Sequence, residues 1–263
     1  LVPNEASAYH TYKTRLLDST ANSLKRREFR FGIMKQSYGA FDFFQISTYT
    51  LPWLVGIVLQ DTAPNIEFKS TFFEGRRLTL SASFSFITGT FEQVENVSST
   101  RVRYYMTPLT IASSVRINRD VSTHIGGIYT ATQGDANAGL GSNDIGGSAV
   151  IDLLQFWGMM EWRLSRVVAF TFTVRWVPWV SDTIVTGTLE GNPEIGVDIE
   201  LEFIDLKNAW AAIPGFVFSW ERANIRMGVG YGDFFSEFVG FPLALPRSLF
   251  SNVAWEFDVF VRF

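Results

Sequence analysis

In segment after segment of this chain, large apolar residues occupy every second position, with hydroxylic or ionic residues between them. Leu78, Leu80, Ala82, Phe84 and Phe86 alternate with Thr79, Ser81, Ser83 and Ser85. Val168, Phe170, Phe172, Val174 and Trp176 stand opposite Thr171, Thr173 and Arg175, and Trp255, Phe257, Val259, Val261 and Phe263 stand opposite Glu256, Asp258 and Arg262. Successive side chains of a strand point to opposite faces, so each segment has one greasy face and one polar face. A soluble sandwich would hide the greasy faces against each other and leave the polar faces wet. The recurrence of ions on the opposite face fits the inverse arrangement, an antiparallel up-and-down barrel closed around a polar lumen, with its apolar face outward.

Composition narrows the choice. Aromatic residues make up 16% of the 263 positions, with 25 Phe, and charged residues only 18%, below the globular average of about 25%. The longest apolar run, Leu51 to Leu59, is about half the ~18 residues that a membrane helix requires, and Pro52 and Gly56 interrupt it. An aromatic chain with no spanning helix is either a large soluble β protein or a membrane barrel, and the alternation favours the barrel. Cysteine is absent, which excludes disulfides and thiolate metal sites. The formal net charge of −4 brings no basic stripe, so no nucleic acid is expected as a partner. Leu1 opens the chain without a basic and apolar leader, which is read as a secretory signal already removed or a chain trimmed at its start. The missing amino-terminal Cys argues against a lipoprotein.

The expected organisation is an irregular or short helical tail over residues 1–25, either tucked into the lumen or free, and a barrel over 26–263. Period two begins at Arg26. Strands are expected near 29–33, 41–50, 65–73, 78–86, 101–117, 121–132, 149–163, 167–177, 195–203, 216–220, 225–231 and 255–263. Tyr38-Gly39 and Glu74-Gly75 are expected as turns, and Gln133 to Ser148 and Gly232 to Ser251 as loops. That gives 12 strands, an even number as single-chain bacterial barrels have. With this set, however, the tight Glu74-Gly75 turn and the long 133–148 loop fall on the wrong rims. A further strand within Asp182 to Glu190, and another near the amino terminus, give 14 as the alternative.

The final segment resembles the carboxy-terminal strand of bacterial outer-membrane β-barrel proteins. That resemblance implies that Trp255, Phe257, Val259, Val261 and Phe263 form a signal read by the barrel-insertion machinery. It also implies a location in the outer membrane, among its lipid and lipopolysaccharide.

Taking the aromatic phase as outward puts Glu28, Arg30, Arg101, Arg103, Arg116, Arg175, Asp198, Glu200, Glu202, Arg226, Glu256, Asp258 and Arg262 in the lumen. Such a lining either biases which small polar solutes pass or pairs internally and braces a plugged barrel. The first reading is a passive channel. The second is a non-conducting anchor or scaffold, whose aromatic loop 232–251 packs on another envelope protein. A lipid-acting enzyme is disfavoured. His124 shares the inward phase of Ser122 and Thr130, away from lipid, and the pair Ser122/His124 lacks an orienting third group. The other histidine, His10, belongs to the tail. The Asp- and Asn-rich stretch from Gly134 to Asp144 lacks the order and closing Glu of a calcium loop, so no metal and no cofactor is expected. Asn96-Val97-Ser98 matches a glycosylation sequon and carries no meaning in a bacterial protein.

Overall fold

The computed structural model describes residues 17, 20–50, 52–53, 64–95, 98–140, 143–181, 184–190, 206–220, 222–233, 236–238, 241–243 and 252–263. The strands are β1 (Phe29–Gly32), β2 (Lys35–Phe41), β3 (Phe44–Tyr49), β4 (Asn65–Glu74), β5 (Leu78–Glu95), β6 (Ser98–Arg116), β7 (Val121–Leu140) and β8 (Asn143–Arg163). They continue as β9 (Val168–Val180), β10 (Ile184–Glu190), β11 (Trp210–Ser219), β12 (Ala223–Gly232), β13 (Ser236–Phe238), β14 (Phe241–Leu243) and β15 (Val253–Arg262). Twelve of them, β1 to β9 with β11, β12 and β15, close into an all-antiparallel up-and-down barrel. The seam is β1 against β15, with Phe31 opposite Val261. Phe29 and Phe263 exchange backbone hydrogen bonds of 3.1 and 2.9 Å there.

Short turns gather at the rim that holds this seam. Residues 42–43, 75–77, 117–120 and 164–167 make four of them, and at a fifth the Trp220 N–H donates to the Ala223 carbonyl at 2.9 Å. Asn118 tightens one such turn, its Oδ1 accepting the backbone N–H groups of Asp120 and Val121 at 2.8 Å. The ends of β3 and β12 and the starts of β4 and β15 lie at the opposite rim.

The alternation has the expected consequence for burial. Phe31, Phe68, Phe84, Ile111, Ile125, Phe172, Phe216 and Val229 are exposed, while Arg30, Lys35, Glu67, Ser81, His124, Thr171 and Arg175 are buried. This inverts the distribution of a soluble domain, in which charged residues are almost never fully buried.

Twelve strands were expected and twelve are found, but not the same twelve. Lys35–Phe41 is a strand and not a turn: it pairs with β1 and with β3. Gln133 to Ser148 is strand over most of its length, because β7 and β8 remain paired from Val121↔Trp162 to Leu140↔Asn143. The segment within Asp182 to Glu190 is indeed extended. Yet β10 pairs antiparallel to β8, as β9 does, and prolongs β9 without reversing the chain. It therefore adds no strand to the ring, and the rim assignments resolve without 14. The strand expected at 195–203 lies outside the described residues. Within 232–251, β13 and β14 form a small separate hairpin.

Candidate functional site

The polar faces of the strands line the lumen, and its walls have different characters. On one side, Lys35 of β2 meets Glu67 of β4 at 2.5 Å, reaching past β3. Tyr49 of β3 donates its hydroxyl to the same carboxylate, and Ser85 of β5 donates at 3.3 Å. On the far side of β1, Glu256 of β15 accepts from Arg175 of β9 at 2.7 Å and from Arg226 of β12. At the seam, Arg30 holds Asp258 at 2.5 Å with its guanidinium 3.9 Å from the centre of the Phe260 ring, and Arg262 pairs with Glu28. Buried charges need such partners, since an isolated one costs several kcal/mol, roughly.

The third side is apolar. Ala112 of β6, Ile128 of β7, Trp157 and Met159 of β8 and Val217 of β11 form a buried cluster with Leu17 and Ala21. Those last two residues belong to a strap that crosses the lumen before β1. The strap contains no helix over residues 20–25, and the walls hold it by hydrogen bonds. Ala21 N–H donates to Ser114 Oγ at 2.8 Å, and the Ala21 carbonyl accepts from Thr71 Oγ1 at 2.9 Å. Ser23 and Thr71 share a hydroxyl contact of 2.9 Å, and Leu24 N–H donates to Gln45 Oε1 at 3.0 Å. At its end the chain turns into β1 through Arg27, whose φ is 66°. Here it passes so close to Gly39 that a Cβ on Gly39 would stand 1.9 Å from the Lys25 carbonyl oxygen. Glycine is required for that approach.

Between strap and ion pairs lies a cavity of about 220 Å³. Its charged lining is Arg30, Lys35, Lys69, Arg175 and Arg226 against Glu67, Glu256 and Asp258. Arg226 stands where the ionic and apolar walls join. Its Nη2 lies 3.4 Å from Thr173 Oγ1 and 3.5 Å from Met159 Sδ.

The expected lumen residues divide into three groups. Glu28, Arg30, Arg175, Arg226, Glu256, Asp258 and Arg262 form the ion pairs just described. Arg116 has the inward phase but lies at the short-turn rim, bonded to the Arg76 carbonyl at 2.5 Å. Arg101 and Arg103 require correction. They share the odd phase of Leu109 and Ile111, which are 46% and 61% exposed, so they face outward. There they line a hollow with Asp135 and Asn137 of β7 and Gly146 to Ser148 of β8. Tyr104 and Tyr105, adjacent aromatics on opposite faces, give this part of β6 no single aromatic phase. Asp198, Glu200 and Glu202 lie outside the described residues.

Lys35, Glu67 and Lys69 were not anticipated. The signal for Glu67 and Lys69 was present, since they alternate with Ile66, Phe68 and Phe72. Lys35 was hidden by the reading of its strand as a turn. His124 is buried and inward as expected, but its partner is Ser114 and not Ser122. Ser114 Oγ is 2.7 Å from Nδ1, and Glu161 lies 3.5 Å from Nε2. A serine, an imidazole and a carboxylate thus stand in line, with the hydroxyl buried and engaged by the strap. Phe257 of β15 and Phe263 just beyond it are exposed at 41% and 63%, sharing the outward phase with Trp255, Val259 and Val261.

Among the described residues no cluster of His, Cys, Asp and Glu could hold a metal ion. Compared with known proteins, the chain matches no family model and no curated sequence.

Proposed function

We propose that the chain is an integral barrel of a bacterial outer membrane, closed by its own amino-terminal strap and serving as a non-conducting anchor for other envelope proteins. Support for the membrane comes from the outward face. Trp210 and Trp220 bracket β11, ten positions and so about 33 Å of strand apart. At a tilt of about 45° that projects to roughly 23 Å, close to the ~25 Å apolar band of an outer-membrane barrel. Further aromatics gather near these levels, with Trp210 packed on Tyr231 and Tyr129 on Trp179 at one level. Phe218 stacks on Trp220 at the other. Indole and phenol rings suit headgroup level because one end is apolar and the other wet. The outward apolar residues of β15 are the surface that a barrel-insertion machine would read.

The strap carries the choice between anchor and channel. Its bonds to β3, β4 and β6 place backbone across the path that a solute would take, and the passive channel needs an open path. Beyond Tyr129 the outward face of β7 becomes Gln133, Asp135 and Asn137, so residues 133–140 extend the wall past the apolar band by roughly 25 Å of strand. That projecting wall is a surface for docking. Ser114 in this reading is a strap anchor and not a nucleophile.

Planar-bilayer recording tests the proposal. The wild-type barrel should be silent, and Gly39→Leu or removal of residues 1–25 should produce steady openings. Steady openings in the wild-type protein would refute it.

A further inference from the structure

We infer that the outward face of β8 carries a site for an organic ammonium group, such as a lipid headgroup presents, seated on the Asp152 carboxylate beside the rings of Tyr129 and Trp179. Asp152 lies two residues from Leu154 on the same face of β8, and Leu154 has Tyr129 of β7 and Trp179 of β9 as its two cross-strand neighbours. The two rings meet over β8, their centroids 6.5 Å apart and their planes 19° from parallel, and both are exposed. The Tyr129 hydroxyl donates to Asp152 Oδ2 at 2.9 Å, which fixes the carboxylate against the aromatic pair. The backbone is fixed as well. Asp152 N–H donates to Ser181 Oγ at 2.8 Å, and Ser181 N–H donates to the Asp152 carbonyl at 2.7 Å. Ala131, opposite Asp152 on β7, and Ser181 are small and uncharged, so they leave room beside the carboxylate. Among the described residues no Lys or Arg forms a salt bridge with Asp152.

A carboxylate on the apolar side of the barrel calls for a cation. The faces of tyrosine and tryptophan attract the same charge, and their apolar surface suits N-methyl groups. A metal ion fits less well, since calcium takes about six to eight oxygen ligands and a single carboxylate supplies at most two of them. The aromatic pair also lies at the level where headgroups lie. A lipid headgroup and a soluble amine present the same ammonium chemistry.

The full chain is folded in dodecyl maltoside micelles, and the Trp179 indole N–H resonance, identified by its loss in Trp179→Phe, is followed during titration. Phosphatidylcholine is the lipid probe, and phosphatidylglycerol is the control that shares its phosphate and acyl chains. Choline chloride is the soluble probe, with sodium chloride as its control. Phosphatidylcholine should shift the resonance with about fivefold higher affinity than phosphatidylglycerol. Asp152→Asn keeps an acceptor for the Tyr129 hydroxyl, so the ring pair should persist while the preference falls below about twofold. A shift with choline as well as with phosphatidylcholine would assign the site to ammonium groups from either source, and a shift with phosphatidylcholine alone would assign it to lipid. The lipid source rests on the membrane reading of the outward face, whereas the choline arm reads the site without a bilayer, so the two can fail separately. The inference is overturned if phosphatidylcholine does no better than phosphatidylglycerol and choline no better than sodium. It is equally overturned if calcium chloride produces the same shift as choline, or if Asp152→Asn leaves the preference unchanged.

Discussion

Strands β5 to β8 run for 18, 19, 20 and 21 residues, whereas β1 to β4 run for 4, 7, 6 and 10. In the long wall, hydrogen-bonded pairing continues almost from one end of β7 to the other, and the lumen face is largely hydroxylic or apolar. In the short wall and its neighbour β15, the lumen face carries the ion pairs. These pairs do not merely duplicate the ladder. Lys35 to Glu67 spans from β2 to β4, and Arg175 to Glu256 spans from β9 to β15, so each ties together strands that do not hydrogen-bond to each other. A backbone hydrogen bond contributes about 0.5–1.5 kcal/mol net, and a four-residue strand has few of them. Where the ladder is short, cohesion passes to braces through the lumen.

The strongest way to break that comparison is Glu256→Gln. The substitution leaves Arg175 and Arg226 facing each other without the carboxylate they share, and removing one partner of a buried pair costs about 3–5 kcal/mol. Thr110→Ala, on the lumen face of β6, should stay within about 0.5 kcal/mol. Urea unfolding in detergent micelles, followed by tryptophan fluorescence, measures both. Equal losses would mean that the two walls are held in the same way.

The same contrast explains what could be read from the sequence. Strands with large aromatics on one face, such as β5, β9 and β15, were legible because the apolar phase is unmistakable. β2 was not, because its Gly39 serves the strap and its outward residues are Gln36, Tyr38 and Ala40, a weak greasy face. The outer halves of β7 and β8 read as loop because Gly, Asn and Asp there replace the aromatics. Pairing with equally long neighbours, a tertiary effect, keeps them extended. Of the site, Arg30, Arg175, Glu256 and Asp258 alternate with large apolar residues of one phase, whereas Arg103 precedes the adjacent pair Tyr104-Tyr105, which gives no phase. The strap was recognisable only as a segment without alternation, since its anchoring on Ser114, Thr71 and Gln45 depends on contacts up to 93 residues away in sequence.

On the long wall the vulnerable face is the outer one. Phe84→Arg puts a guanidinium in the middle of the apolar band and should cost about 2–4 kcal/mol on folding into lipid vesicles, the range for Arg near the midplane of a barrel. Ser83→Arg, one residue away on the lumen face, should cost clearly less. Reversal of that order would mean that the faces are assigned the wrong way round, and the membrane reading would fail with them.

The smallest effect is expected at the tip of the long wall. Arg101 and Arg103 have the outward phase of Leu109 and Ile111, but their cross-strand neighbours are Asn137 and Asp135, so they meet water above the apolar band. Replacing both with Ala should change stability by no more than about 0.5 kcal/mol, as at ordinary surface positions. It should also leave the ion selectivity of a barrel opened by removal of residues 1–25 unchanged, because neither side chain borders the lumen. Arg226→Gln in the same opened barrel removes a cation from the narrow ionic wall and should move the reversal potential toward cation preference. The pair of reversal potentials therefore separates charge inside the barrel from charge on its projecting edge. A shift from the Arg101 and Arg103 substitutions as large as that from Arg226→Gln would place the upper part of β6 within the conduction path. The long wall would then contribute to the lumen and not to a docking surface.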